Sequence, residues 1–364
     1  MRIIAISTTV LQLPFAHGGA PLYFAGRPRT AIEMLLVRVD TYDGYVGWGE
    51  AFGPGVWPAT QAVIENILAP LCIGSDTRDI GALSDDLQRK LHPLGRSGPV
   101  IYALAGLDIA LWDIAGQRAG VPLCRLLAHT PAEDLPAYAS LFRYADAQLV
   151  GSKCAEAIER GYRDVKLHEV SVDSARAARK AIGSQGRLMI DVNCPWSADQ
   201  AIRMAQQFRE FDPLWLEEPV WPPEDHAGLA RVRREGGIPI AAGENAASVT
   251  EFGQMFASNA IDYAQPSVIK IGGITPMLGV IELARRHGTG IMPHSPYFGP
   301  GLIATLHVCA ARAPAAMIET YYCDLEASPL GSAITPHRGR LSVPQGRGLG
   351  VTPDPAVLRE YAVR

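Results

Sequence analysis

The sequence predicts an α/β protein: a closed barrel of alternating strands and helices, preceded by an α+β unit. Three observations carry this. From about residue 135 onward, short apolar runs recur at regular spacing with helical segments between them. About eight such units are present, enough to close a parallel barrel. The first 125 residues follow another pattern, strands first and helices after.

Residues 2–14, 29–41 and 44–50 read as strands, the last two joined by YDGY, whose Asp-Gly is a hairpin signal. Helical spacing follows over 58–70, 78–91 and 97–119. The third helix stops at Gly120, just before Pro122. The barrel strands are expected in LPAYAS (135–140), DVKLHEV (164–170), RLMIDVN (187–193), LWLEEP (214–219), IPIAAGEN (238–245), DYAQPSVIKI (262–271), GIMPHS (290–295) and AAMIET (315–320). Residues 321–364, rich in Gly and Pro, are expected to run back over the first unit. The domain division is therefore 1–125, 126–320 and 321–364.

The chain has 364 residues, 48% hydrophobic and 19% charged, which suits a core-forming protein rather than a disordered one. A net charge of −4 without a long basic run argues against nucleic acid and anionic membrane as partners. The six cysteines are scattered with no CxxC pair, against a zinc-thiolate site or a secreted disulfide framework. MRIIAISTTVLQLPF reads as an alternating strand, not a signal peptide, and no stretch of about 18 apolar residues suggests a membrane span. A cytoplasmic protein is expected.

The polar residues near the strand ends form a series: His168, Asp191, Glu217, Glu244, Ser267, His294 and Glu319, one per βα unit and 23 to 27 residues apart. In a barrel the C-terminal strand ends surround one mouth, so these residues become neighbours. Lys166 shares a strand face with His168. Three carboxylates at one mouth repel each other unless a hard cation joins them, and all-oxygen ligation suits Mg²⁺. Asp191, Glu217 and Glu244 are the candidate ligands. Glu218 points to the opposite side of a regular strand, but the strand frays into EPVWPP (218–223), which leaves it an approach to the site from the second shell. Lys270, three residues after Ser267, is read as structural for the same reason.

The segments GLDIALWDIAG, KLH, MIDVN, WLEEPV, GEN, QPSVIKIGGIT, MPHS and IET together resemble the enolase superfamily, in its mandelate racemase / muconate lactonizing enzyme branch. The resemblance spans essentially the whole chain. It implies a modified (β/α)₇β TIM-like barrel with an α+β capping domain built from both termini. It also implies one Mg²⁺ on Asp191, Glu217 and Glu244, and removal of the proton α to a substrate carboxylate through a metal-stabilised enediolate. Lys166 would lie near that carboxylate, and Glu319 would share a proton with it. Asn193 and Asn245 are candidate hydrogen-bonders to substrate or to the ligands. His17 and Tyr23, in FAHGGAPLYF, are capping-loop candidates for substrate contact, as is the GEAFGPG loop (49–55).

Two departures from the family pattern matter. KLH stands where Lys-x-Lys is usual, and Ser267 stands where a histidine partner would be aspartate. The expected roles are His168 as base, with Lys166 and Mg²⁺ nearby keeping it neutral, and His294 as acid, since a serine hydroxyl supports an imidazolium less than a carboxylate does. Cys194 and Cys323 are read as spectators. The leading function is a sugar-acid dehydratase acting on a small carboxylic acid. A cycloisomerase or racemase/epimerase of a sugar-acid lactone or hydroxy acid is the alternative within the class. Two other readings remain: Schiff-base chemistry on Lys166 or Lys270, and a non-catalytic sugar-acid-binding barrel. A symmetric homo-oligomer is expected.

Overall fold

The computed structural model describes residues 2–24 and 26–363. Three antiparallel strands open the chain: β1 (Ile3–Ala16), β2 (Ala31–Thr41) and β3 (Val46–Ala51), with Leu11 opposite Met34 and Leu36 opposite Glu50. A helical run from Trp57 to Cys72 follows, interrupted by a π-type turn over Ile64–Leu68, and then a helix over Ile80–Leu91. The long helix α1 (Pro99–Ala119) completes the unit, closed by Gly120 in the left-handed conformation. It lies against β3, where glycines let the backbones touch: a Cβ on Gly49 would sit 1.9 Å from the Gly106 carbonyl oxygen.

By length and composition α1 is the one helix among the described residues apolar enough to cross a membrane, which corrects the expectation that no such stretch exists. It is instead a core helix. Its most apolar stretch is 78% buried inside the protein, and its two buried aspartates bind backbone. Asp108 accepts from Thr275 N–H, and Asp113 accepts from Trp48 and Leu349 N–H.

The barrel strands are β4 (Asp134–Ser140), β5 (Asp164–Leu167), β6 (Arg187–Asp191), β7 (Pro213–Glu217), β8 (Ile240–Ala242), β9 (Tyr263–Ala264), β10 (Gly290–Ile291) and β11 (Ile318–Tyr321). All eight are parallel and paired in the order β10-β9-β8-β7-β6-β5-β4-β11. The remaining seam, β10 to β11, is bridged by the Ser295 hydroxyl and the Glu319 carboxylate. Ser295 Oγ donates to the Glu319 carbonyl (3.2 Å) and accepts from Glu319 N–H (3.1 Å), while Ser295 N–H donates to Glu319 Oε2 (3.2 Å). Several strands end earlier than expected. The chain turns away at Gly243 (φ 129°), and residues 268–270 form a turn rather than strand.

Strand alternation builds the barrel interior in layers. Tyr138, Met189, Trp215 and Met317 form a buried apolar layer with Ala241. Two residues further along the same strands stand Ser140, Asp191, Glu217 and Glu319, all fully buried. The apolar layer is the floor and the charged layer stands on it.

The C-terminal segment ties both parts together. Asp324–Leu325 pairs with β1, with Phe15 opposite Leu325. Arg340–Ser342 lies antiparallel to β4, and after the helix Pro355–Tyr361 the chain bridges Ala362 to Leu11. The cap is fastened to the barrel by Glu50, which accepts from Gly301 N–H (2.8 Å) at the start of helix α2 (Pro300–Arg312).

Candidate active site

Lys166, fully buried, sits at the centre of the charged layer. Its Nζ lies 2.7 Å from Glu217 Oε1, 2.8 Å from Glu319 Oε1 and 3.2 Å from Asp191 Oδ2. Burial alone would lower its pKa, but the three carboxylates outweigh that and hold it well above the ordinary lysine value. The same contacts bring Asp191 and Glu319 below the ordinary carboxylate range, against the effect of burial. Glu217 goes the other way: burial and the Asp191 charge push it well above that range. Two further donors orient the carboxylates. Trp215 Nε1 donates to Glu217 Oε2 (2.8 Å), and Asn193 donates to Asp191 Oδ1 through its backbone N–H (3.0 Å) and Nδ2 (2.9 Å).

Asp191, Glu217 and Glu244 each offer an oxygen, and the three oxygens lie within 4.8 Å of one another. Octahedral Mg²⁺ with ligands at about 2.1 Å spaces its oxygens roughly 3 to 4 Å apart, so small side-chain rotations suffice to close this set. The donor set is all carboxylate, as a hard cation requires. A divalent Mg²⁺ therefore fits the residues present.

A histidine stands at each end of this carboxylate row. His168 Nε2 lies 3.3 Å from Asp191 Oδ2, and its Nδ1 is 2.5 Å from the Leu141 carbonyl. His294 Nε2 lies 3.2 Å from Glu244 Oε2. Its Nδ1 is 3.1 Å from the Tyr297 hydroxyl, which also contacts Ser267 Oγ. Burial lowers the His294 pKa, opposed by the charges of Glu244 and Glu319. The carbonyl at Leu141 only accepts, so His168 carries its proton on Nδ1.

Both histidines line a cavity of about 800 Å³ between cap and barrel, together with Asn193, Glu218, Glu244 and Asn245. From the cap, Tyr23, Arg29, Glu50 and Phe52 complete the wall. Tyr23 is 69% exposed at this opening. His17 does not line it. The ring packs instead against Phe15, Phe142 and Tyr144, because the chain turns at Gly18 (φ 75°) and leaves His17 behind the wall.

Three residues take their places from the chain at or beyond the strand ends. Glu218 reaches the site from the second shell: β7 ends at Glu217, and Glu218 takes φ 45°, which turns its carboxylate back to Asn245 Nδ2 (2.9 and 3.1 Å). Burial and the Glu244 charge raise its pKa to about 8. Lys270 lies on the turn after β9 rather than on a strand, so alternation does not apply to it. Its Nζ donates to Asn245 Oδ1 (2.9 Å) and stands 3.6 Å from Glu244 Oε1. Lys166 lies below the cavity wall, its charge already engaged by three carboxylates. Cys194 lines the cavity, but burial and Glu218 raise its pKa, so its thiol stays protonated and weakly nucleophilic.

Sequence reasoning missed Tyr297 and Glu50. Tyr297 stands three residues after His294 in a loop, where no periodic pattern signals that its hydroxyl meets the ring. Glu50 sits in the GEAFGPG stretch, where nothing in the local pattern reveals that a barrel helix begins opposite it.

Residues 5–128 match the mandelate racemase / muconate lactonizing enzyme N-terminal domain, and residues 150–357 match the enolase C-terminal domain-like family. The chain is 30% identical over 351 residues to an arabinonate dehydratase of Saccharolobus solfataricus, covering 93% of each chain. It is 31% identical over 382 residues to a D-galactarolactone cycloisomerase of Agrobacterium fabrum, covering 99% of each. Its structure is similar to that of an L-talarate dehydratase from Polaromonas sp. JS666 complexed with Mg and L-glucarate: TM-score 0.87, 29% identity, covering 100% of this chain and 98% of the other. Site, fold and comparisons agree that the chain belongs to the enolase superfamily, in the mandelate racemase / muconate lactonizing enzyme branch.

Proposed function

We propose that the protein is a Mg²⁺-dependent sugar-acid dehydratase, which removes the proton α to a substrate carboxylate and expels a β-hydroxyl as water. The observation that carries this is a three-carboxylate cation site with a histidine at each end, all opening on one cavity. Asp191, Glu217 and Glu244 hold the metal. Mg²⁺, when bound, supplies Lewis-acid neutralisation of the charge that builds on the substrate carboxylate.

The chain's own residues do the rest. His168 Nε2 takes the α-proton. His294 Nε2 protonates the departing hydroxyl, which leaves as water while the double bond forms. Glu319 and Lys166 lie beneath the carboxylate row and stabilise its arrangement through their mutual contact. Arg29 and Arg143, on the cavity wall, complement an anionic substrate. The six free thiols suit a reducing, cytoplasmic setting.

Cycloisomerisation of a sugar-acid lactone is the second reading, favoured by the relative that matches this chain over 99% of both lengths. A screen of aldonic and aldaric acids and their lactones with MgCl₂ decides between the two. Loss of one water from the product mass marks dehydration, and an unchanged mass with a new ring connectivity marks cycloisomerisation. Turnover should stop on chelation and return with Mg²⁺. Full turnover by a chelated, metal-free sample, or no turnover of any acid or lactone, would overturn the proposal.

A further inference from the structure

We infer that Arg143 binds a second carboxylate on the substrate, so that the site prefers sugar diacids of the aldaric class to the matching monoacids. This rests on the proposed function in one respect: the first carboxylate is held on the cation row. Arg143 lies in the loop after β4, and its guanidinium lines the cavity beside the loop of His168. Backbone fixes it there. Nε–H donates to the His168 carbonyl (2.7 Å), and Nη2 donates to the Val192 carbonyl (3.3 Å). One side chain thus ties together the loops after β4, β5 and β6.

A guanidinium has five N–H donors in a rigid plane. The two engaged here lie along one edge, that of Nε and Nη2. The other edge, formed by Nη1 and the second hydrogen of Nη2, has no hydrogen-bond partner among the described residues. Two parallel donors on one edge are the fork that a carboxylate fits with both oxygens. The charge is unanswered as well. None of the carboxylates lining the cavity forms an ion pair with Arg143, among the described residues. Glu169, the acid of the adjoining loop, is taken up by the N–H groups of Tyr144 and Ala145 (2.7 and 3.0 Å). A second cation stands on the same wall. Arg29 lies over the ring of Phe142, the residue before Arg143, 5.6 Å from its centre. This flank of the cavity is therefore more positive than a single carboxylate, already neutralised on the cation row, would use. A sugar diacid has its second carboxylate at the far end of the carbon chain. Laid from the cation row past His168, that chain ends at the open fork of Arg143. A monoacid ends there in a hydroxyl, which makes a neutral bond in place of two charge-assisted ones.

Calorimetric titration with MgCl₂ present tests this, using two matched pairs: D-glucarate against D-gluconate, and galactarate against D-galactonate. The titrations use the full-length protein carrying His168→Asn. That change keeps the backbone carbonyl that Arg143 binds and removes the proposed base, so the acids bind without being consumed. In at least one pair the diacid should bind about 10- to 100-fold tighter than the monoacid, the worth of charge-assisted hydrogen bonds. Adding Arg143→Gln should erase that preference by weakening the diacid, with the monoacid changed less than about twofold. Arg143→Lys keeps the charge without the fork and should retain part of the preference; as the gentler change, it guards against a loss through misfolding. Product mass in the earlier screen decides the reaction separately: a cycloisomerase, or a barrel that binds acids without turning them over, would show the same diacid preference. Equal affinities within both pairs would overturn the inference. So would an Arg143→Gln protein that binds diacid and monoacid more weakly by the same factor, because the guanidinium would then serve only as a tie between loops.

Discussion

At the scale of single residues, charge balance explains why this site calls for a divalent cation. Five carboxylates converge on it: Asp191, Glu217, Glu218, Glu244 and Glu319. Two ammonium groups, Lys166 and Lys270, answer them. The carboxylates outnumber the ammonium groups, and a divalent cation held by Asp191, Glu217 and Glu244 offsets that excess. The raised pKa of Glu217 fits the same picture, because without a metal a proton takes the place of the missing positive charge. Between the two histidines the labour divides by position. His168 touches Asp191 and His294 touches Glu244, so each addresses one side of a substrate held on the row. In D₂O, His168→Asn should lose both α-proton exchange and turnover by about 10²- to 10⁴-fold, the usual worth of a general base. His294→Asn should lose turnover and keep exchange. NMR of recovered substrate measures this. Wild-type exchange in His168→Asn, together with lost exchange in His294→Asn, would reverse the roles.

At the scale of elements, the barrel's closure depends on a side chain where a ladder is missing. β10 is two residues long and does not pair with β11, so Ser295 supplies both halves of a backbone pairing through its hydroxyl. Removing that hydroxyl strands a buried N–H and C=O of Glu319, at about 1–3 kcal/mol for the unsatisfied pair. Ser295→Ala should therefore lower the unfolding free energy by that amount, read as a lower urea midpoint at an unchanged m-value, and reduce activity, since Glu319 hangs on the same seam. An unchanged midpoint would show that the seam closes by other contacts. This seam also marks how far sequence alone reaches. Periodicity located all eight barrel strands and the interval that brings His168, Asp191, Glu217, Glu244, Ser267, His294 and Glu319 to one mouth, because each βα unit is a local pattern. It failed past the last strand residue. Two-residue alternation put Lys270 on the wrong side, since the chain there is a turn, and brought Glu218 to the site only by way of a frayed strand end, where the structure has a φ of 45° rather than extended backbone. Tyr297 and Glu50 were illegible for another reason: their meaning lies in partners distant in sequence or set by loop geometry.

At the scale of the whole molecule, buried titratable groups at the joints between cap, barrel and tail hold its parts together, and they tie stability to pH. Glu50, Asp108 and Asp113 join cap, barrel and tail through backbone N–H groups, and burial raises them to about 7, 7 and 6. They are favoured protonated in the folded state, so their contribution fades as pH rises through those values. His307, on α2, works in the opposite sense. Its Nδ1 accepts from Cys124 N–H (3.2 Å), and its Nε2–H donates to the Leu349 carbonyl (3.1 Å), so one neutral ring joins the end of the cap, a barrel helix and the C-terminal tail. Burial lowers its pKa from 6.5 to about 4. The unfolded chain binds a proton there below pH 6.5 while the folded chain does not until about pH 4, so stability is fully present above 6.5 and is lost as pH falls between those values. A displacement of that size corresponds to roughly 3 kcal/mol. Glutamine keeps an acceptor and a donor at this position without a titrating group. The prediction is that His307→Gln and wild type, compared by urea unfolding from pH 7 to pH 4, diverge by about that amount, with wild type losing more on acidification. The three acids titrate alike in both proteins and cancel in the difference. Parallel stability curves would mean that His307 keeps the same proton affinity folded and unfolded, and that the joint between cap, barrel and tail does not depend on its neutral ring.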